Sequence, residues 1–444
     1  MSLIIQLSQR FTTRKLLKFV FPSIVMMVVS SIYGVVDGLF VSNFIGTPAF
    51  AAVNFIIPVL MIFGSPGFMI GSGGSAIVAK TMGEGDVKTA RRQFSLLLYV
   101  SIALGLVLTV LGYLFMPAIA ASLGESGQLL ADSILYGRIY ILGLAGLILL
   151  NVFQSFCITA GLPGLGLVIV AASGIANLVL DALFVMVFGW GIAGAAGASA
   201  ISMLLGGILP MVYFAAPNKS PLHLTGFHMD GKVLLKTTTN GFSELMTNVS
   251  ISLVNVLYNM QLMKLAGEDG LAAYGILMYV SLIFIAVFIG FSLGTAPLFS
   301  YQYGAQNYHA LRDLLIKSLK IMLIASGLMF LSAEIFARPL SMLFVGYDPE
   351  LLEFTVHGFH IFSFMFLFAG INIFISAFFT ALHDGLVSAL LSFLRCLVLQ
   401  VIAVMTLPMW FGLNGIWNAN TAAEAAAMAL SLWFLVRMQK RYGY

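Results

Sequence analysis

The sequence predicts an all-α integral membrane protein: about twelve transmembrane helices in two pseudo-symmetric halves of six. Composition is the first reason. Of 444 residues, 60% are hydrophobic and only 9% charged, and the mean hydropathy is +1.03. The second is the recurrence of apolar stretches of about 20 residues, each long enough to cross a bilayer as a helix. A β-barrel would instead show short alternating strands. The third is an internal repeat at an offset of 221 residues, which pairs Lys15 with Lys236, Gly46 with Gly267, Gly73 with Gly294, Gly83 with Gly304, Arg91 with Arg312 and Gly164 with Gly385. Apolar matches carry little weight in so hydrophobic a chain, so the glycines and charges decide.

The expected spans in the first half are 16–42, 50–79, 94–115, 134–158, 165–188 and 192–214. Those in the second half are 237–263, 271–302, 318–338, 354–381, 386–408 and 414–436. Residues 215–236 carry Pro217, Pro221, two histidines and three lysines, and read as the connector between halves. The expected lobes are therefore 1–218 and 219–444. The first apolar run is too long for a signal-peptide core and is read as a retained membrane helix. If the N-terminus is cytoplasmic, inside segments hold 17 of the 21 lysines and arginines, Arg10, Arg14, Lys15 and Lys18 among them. That bias predicts both termini in the cytoplasm. An even number of spans per half makes the repeats parallel, related by an axis along the membrane normal.

The halves differ in their buried charges. Asp37 aligns with Tyr258, and Asp181 with Ile402. Asp37 and Asp181 each lie about seven residues from the outer end of their spans. With a rise of about 1.5 Å per residue, both sit roughly 10 Å below that surface. Tyr33 precedes Asp37 by one helical turn, and Asn177 precedes Asp181 by one, so each shares a face with its carboxylate. Ser199 reaches a similar depth on the sixth span. Burying carboxylates in a bilayer protein costs several kcal/mol unless they are paired, protonated or bound to a cation. With no lysine or arginine at that depth, the pair is expected to share a proton or bind a cation. The oxygens of Asp37, Asn177, Asp181 and Ser199 suit a hard ion such as Na+. The plainer alternative is two separately solvated carboxylates lining an aqueous cavity.

The second half holds Glu244, Arg395 and Glu424. Glu244 and Arg395 lie at similar depths, which reads either as a structural ion pair or as a substrate or gating site. Pro22 interrupts the first span and is either a static kink or a hinge. Cys157 and Cys396 lie in apolar segments and read as packing residues. The string Gly290-Phe291-Ser292-Leu293-Gly294 spells a nucleophile elbow but has no strand before it. No Walker, zinc or dinucleotide motif appears, so no cofactor is expected and the chain does not read as an enzyme. Basic residues are spread over many loops, which excludes a nucleic-acid partner.

Together these features resemble the multidrug and toxic compound extrusion transporters of bacteria and archaea. The stretches that carry the resemblance are Tyr33-Gly34-Val35-Val36-Asp37, the Gly71–Gly85 segment, Asn177-Leu178-Val179-Leu180-Asp181 leading to Phe188–Gly194, and Tyr303–Tyr308. The resemblance implies two six-helix lobes facing each other in a V, and a monomer in the plasma (inner) membrane. It implies antiport: export of cationic amphipathic compounds in exchange for H+ or Na+ by alternating access. The family's first-lobe cation site maps onto Asp37, Asn177 and Asp181, with Ser199 where threonine is frequent. A lipid-linked oligosaccharide flippase of related architecture is the rival expectation. It calls for a more basic cavity than a lone intrahelical Arg395 offers.

Overall fold

Twelve spans emerge among the described residues, which in this computed structural model are 7–9, 11–122 and 127–444. They are α1 (Thr13–Phe44), α2 (Thr47–Gly83), α3 (Val87–Ser122), and α4, which is Gly127–Ile141 and Leu144–Thr159 bent by 55°. The first half ends with α5 (Pro163–Asp181, prolonged by a π turn at Ala182–Val187) and α6 (Gly191–Ala215). The second holds α7 (231–266), α8 (268–304), α9 (Tyr308–Val345), α10 (Pro349–Ala381), α11 (Gly385–Phe411) and α12 (Leu413–Tyr442). Arg10, one of the residues behind the expected orientation, lies outside the described residues.

Residues 231–304 are helical apart from Gly267, yet a straight helix of that length would span about 110 Å. Gly267 breaks it with φ 62°, a left-handed backbone that glycine adopts without a Cβ penalty. The reversal is proved by Tyr258 and Tyr274, whose rings stack with centroids 4.9 Å apart. In a straight helix, residues 16 apart would be separated by about 24 Å. The segment is therefore two antiparallel spans, and the count is six per half.

The halves meet at the end of the bundle that holds both chain termini. Small residues make this possible, because without a Cβ two helix backbones can touch. A methyl at Gly73 or Gly241 would strike backbone across the α2–α7 contact, at Thr237 and Met69 respectively. One at Gly83 or Gly304 would do so between α2 and α8, and one at Gly290 would strike Ile24 of α1. Hydrogen bonds between the halves lie at the same end: Asn240 Nδ2 donates to Gly73 O (3.5 Å), Gln302 Nε2 to Leu7 O (3.2 Å) and Lys317 Nζ to Phe11 O (2.9 Å). Toward the other end, Gly34 of α1 and Gly275 of α8 have nothing within 4 Å of a Cβ position. The halves are joined backbone to backbone at the termini end.

The connector is shorter than expected, because α7 begins at Gly231 under a cap from the Asp230 carboxylate. It is also stitched to α3. Arg91 Nε donates to Pro221 O (2.7 Å), Ser95 Oγ accepts from Thr225 N (2.8 Å), and Tyr99 Oη donates to Thr225 O (3.2 Å). These three residues are one turn apart on a single α3 face. The expected lobe boundary between residues 218 and 219 thus falls inside a segment bound to the first half.

Gly241→Ala is expected to cost about 1–3 kcal/mol by forcing α7 off α2, and to lower the thermal midpoint in detergent. Gly275→Ala should leave the midpoint unchanged or raise it. Equal midpoints for both variants would contradict the close packing of α2 on α7.

Candidate functional site

The register of α1 on α5 brings the first-half polar residues together. A Cβ at Gly166 would touch Met26 Sδ (3.2 Å), and one at Gly174 would touch Tyr33 Cβ (3.5 Å). One further turn along these parallel helices puts Asp37 beside Asn177 and Asp181, within hydrogen-bonding reach of both side chains. α6 closes the third side. Ser173 Oγ donates to Ser202 O (2.7 Å), and Asn177 Nδ2 donates to Ser199 Oγ (3.4 Å). A Cβ at Gly194 would contact Phe184 backbone at 3.1 Å, so α6 packs closely on the π turn of α5.

Asn177 and Asp181 are completely buried and Ser199 nearly so. Both carboxylate oxygens of Asp181, Oδ1 of Asp37 and Oδ1 of Asn177 are buried without a hydrogen-bond donor. The cluster therefore presents four acceptor atoms to one another. Acceptors facing acceptors are unfavourable in a low dielectric, and a shared proton or a bound cation satisfies them. Asp181 is also the last residue before the π turn of α5. Such turns leave the regular ladder and recur at functional positions.

Two residues of this cluster escape a sequence reading. Tyr136 and Tyr140, one turn apart on α4, are buried with rings stacked at 5.7 Å. The Tyr136 hydroxyl is within hydrogen-bonding reach of Ser199, and both tyrosines are near enough to Asp37 to feel its charge. The expected fourth span began at 134, which left Tyr136 at a helix end. α4 in fact starts at Gly127 and carries both tyrosines inward. The signal available was their i, i+4 spacing.

The second half builds something else at the matching place. Tyr258, which aligns with Asp37, donates to Gln400 Oε1 (3.1 Å). Arg395, within the π turn Leu394–Val398, donates from Nε to both carboxylate oxygens of Glu424 (2.8 and 3.0 Å). Asn372 Nδ2 donates to the same carboxylate (2.7 Å). Glu244 is near enough to Arg395 to feel its charge, but the hydrogen-bonded partner of Arg395 is Glu424. Pro22 lies within an unbroken α1, next to the Ser23–Ile24 backbone that crosses Gly290. At the end away from the termini, His360 Nδ1 meets Glu334 Oε2 (2.6 Å), and His357 Nε2 meets Asn414 Oδ1 (2.9 Å).

The sequence profile of the MatE family matches residues 22–183 and 245–406, once in each half. This chain belongs to the MatE family. The two matches start 223 positions apart (245 − 22), close to the offset of 221 between paired residues. The multidrug export protein MepA of Staphylococcus aureus is 24% identical over 437 residues, covering 94% of this chain and 92% of the relative. MepA of Staphylococcus haemolyticus is 21% identical over 432 residues, covering 96% and 94%. Among solved structures, a MATE protein in complex with MaL6 superposes with a TM-score of 0.92 at 22% identity, over 97% of each chain. A transporter of the MOP superfamily from Pyrococcus furiosus, described as having a binding pocket of reverse polarity, gives 0.90 at 22% identity over the same share. The chain is thus a multi-pass membrane transporter of the MatE family and not an enzyme.

Glu424→Gln should destabilise the protein by about 3–5 kcal/mol, because it leaves a buried guanidinium without its counter-ion. Arg395→Met combined with Glu424→Met should recover most of that loss. Thermal unfolding in detergent checks both, and a Glu424→Gln midpoint equal to wild type would contradict a structural role for the pair.

Proposed function

We propose that this protein is a secondary antiporter that exports cationic amphipathic compounds in exchange for H+ or Na+ by alternating access. The observation that carries the reading is the set of buried acceptors at Asp37, Asn177, Asp181 and Ser199, with no lysine or arginine hydrogen-bonded to them among the described residues. The names of the staphylococcal relatives supply the substrate class of multidrug export. We divide the chain into lobes at residues 218 and 219 by helix content, with the connector riding on the first lobe. Both termini are placed in the cytoplasm by the lysine and arginine bias, so the open end of the V faces outward.

In that outward-open state Asp37 and Asp181 share one proton and carry one net negative charge, which an ion entering the first lobe neutralises. Tyr33, Tyr136 and Ser199 orient the oxygens around it. The neutralised cluster no longer attracts a cationic drug, which leaves to the outside. Neutral acids also lower the cost of closing the lobe around them, so the V closes outside and opens at the termini end. There the ion departs, the carboxylates regain their charge, and new drug binds. Coupling follows because ion and drug compete for one negative charge. Pro22, next to the α1–α8 crossing, is where α1 bends as the lobes exchange. The flippase alternative is disfavoured by Arg395, because its charge is already matched by Glu424 and not free for an anionic lipid.

Reconstituted protein should move ethidium into or out of liposomes under an imposed proton or sodium gradient, and Asp37→Asn should abolish that movement while keeping a wild-type elution profile. Transport by Asp37→Asn at the wild-type rate would remove Asp37 from the mechanism. If sodium is the driver, Ser199→Ala should raise the sodium concentration for half-maximal rate by about tenfold, the loss of one ligand worth about 1.4 kcal/mol. An unchanged sodium requirement would remove Ser199 from the ion site.

A further inference from the structure

We propose that the seam between the lobes at the termini end is a binding site for an anionic phospholipid with a hydroxyl-bearing headgroup, of the phosphatidylglycerol type. A cavity of about 320 Å³ lies there, lined by Lys80 of α2 and by Lys236, Thr239, Asn240, His383 and Leu386 of the second half. It crosses the lobes: Asn240 donates to Gly73 O of α2 (3.5 Å), and the Lys80 ammonium stands over the Tyr303 ring of α8, 5.7 Å from its centre.

The lining has two kinds of recognition. Lys80 and Lys236 supply positive charge, and the α11 N-terminus supplies backbone N–H groups at Gly385 and Leu386. Asp384 does not cancel this, because its carboxylate caps Val387, accepts from Tyr442 Oη (2.5 Å) and lies 3.5 Å from Arg441, and Glu84, 3.6 Å from Lys80, forms only an exposed surface pair with it. A phosphodiester fits that charge. The second kind is a pair of orphaned polar atoms. Asn240 is 4% exposed, and its Oδ1 is buried without a donor although both its Nδ2 contacts are made. His383 Nε2 is likewise buried without a partner. Burial and the charges of Lys80 and Lys236 push the His383 pKa down to about 3, so the ring is neutral and a hydroxyl satisfies Nε2 in either tautomer. Two unpartnered polar atoms beside a phosphate site call for hydroxyls, which both donate and accept, on the same headgroup.

An apolar surface leads away from the cavity. Leu235 and Phe242 of α7 and Leu386 and Leu390 of α11 are exposed on adjacent helices, whose backbones touch at Gly385 and Thr239. Acyl chains would lie there, which favours a lipid over free phosphate. A lipid so placed would tie Lys80 to the second lobe and favour the state closed at the termini end. That consequence rests on the alternating-access reading, whereas binding itself does not.

The test is native mass spectrometry of the detergent-solubilised full chain, titrated with dioleoyl phosphatidylglycerol, dioleoyl phosphatidylcholine or inorganic phosphate. Wild type should retain phosphatidylglycerol at least tenfold more tightly than phosphatidylcholine. Lys80→Gln with Lys236→Gln should weaken it by about thirtyfold, at roughly 1 kcal/mol per lysine. Asn240→Leu should weaken it without changing phosphatidylcholine retention. Lys88→Gln with Lys440→Gln, which removes two exposed lysines outside the cavity, should leave the affinity unchanged. Equal retention of both lipids, equal loss in the two lysine pairs, or displacement by millimolar phosphate would each overturn the proposal. Because no transport is measured, a failure here is separable from a failure of the antiport reading.

Discussion

Carboxylates buried against one another in a bilayer-spanning lobe are unfavourable unless something positive joins them. Asp37 and Asp181 are in that position, and much of the first lobe serves to hold them so. The close register of α1 on α5 depends on Gly166 and Gly174, which let Met26 and Tyr33 approach. Ser173 and Ser202 then fix α6, so that Ser199 meets Asn177. The bent α4 swings Tyr136 and Tyr140 over the remaining side. Oxygens converge from four helices onto a spot where, among the described residues, no lysine or arginine is hydrogen-bonded.

The second lobe repeats the architecture and removes the instability. Tyr258 stands where Asp37 stands in the first lobe, and its hydroxyl is satisfied by Gln400. Glu424, buried within a span of this lobe, has Arg395 and Asn372 as hydrogen-bond partners. The duplicated fold thus contains one lobe with unpartnered buried acids and one lobe whose Arg395–Glu424 pair is hydrogen-bonded. The glycine contacts at the termini end let the two touch backbone to backbone.

The twelve spans, the repeat and the shared depth of Asp37 and Asp181 were legible in the sequence, because hydropathy and helical spacing encode them directly. The helix ends were not. Gly267 betrayed the α7–α8 reversal, but nothing in the apolar pattern placed the start of α4 at Gly127, and Tyr136 was lost with it. The partner of Arg395 was equally hidden. Depth along a span pointed to Glu244, at the level of Arg395, and only the packing of α10, α11 and α12 places Glu424 and Asn372 around the guanidinium. The two π turns, beside Asp181 and at Arg395, left no compositional trace. The stripe of Arg91, Ser95 and Tyr99 that clamps the connector was visible as spacing, but its purpose depends on where the loop folds.

Calorimetric titration of ethidium into the purified protein tests the central claim most directly, run in buffers of different ionisation enthalpy and at several sodium concentrations. If the acidic cluster couples ion to drug, binding expels the ion. The heat then varies with the buffer for protons, or the affinity falls as sodium rises, and both dependences vanish in Asp37→Asn. Binding to wild type with a buffer-independent heat and a sodium-independent affinity would contradict the account.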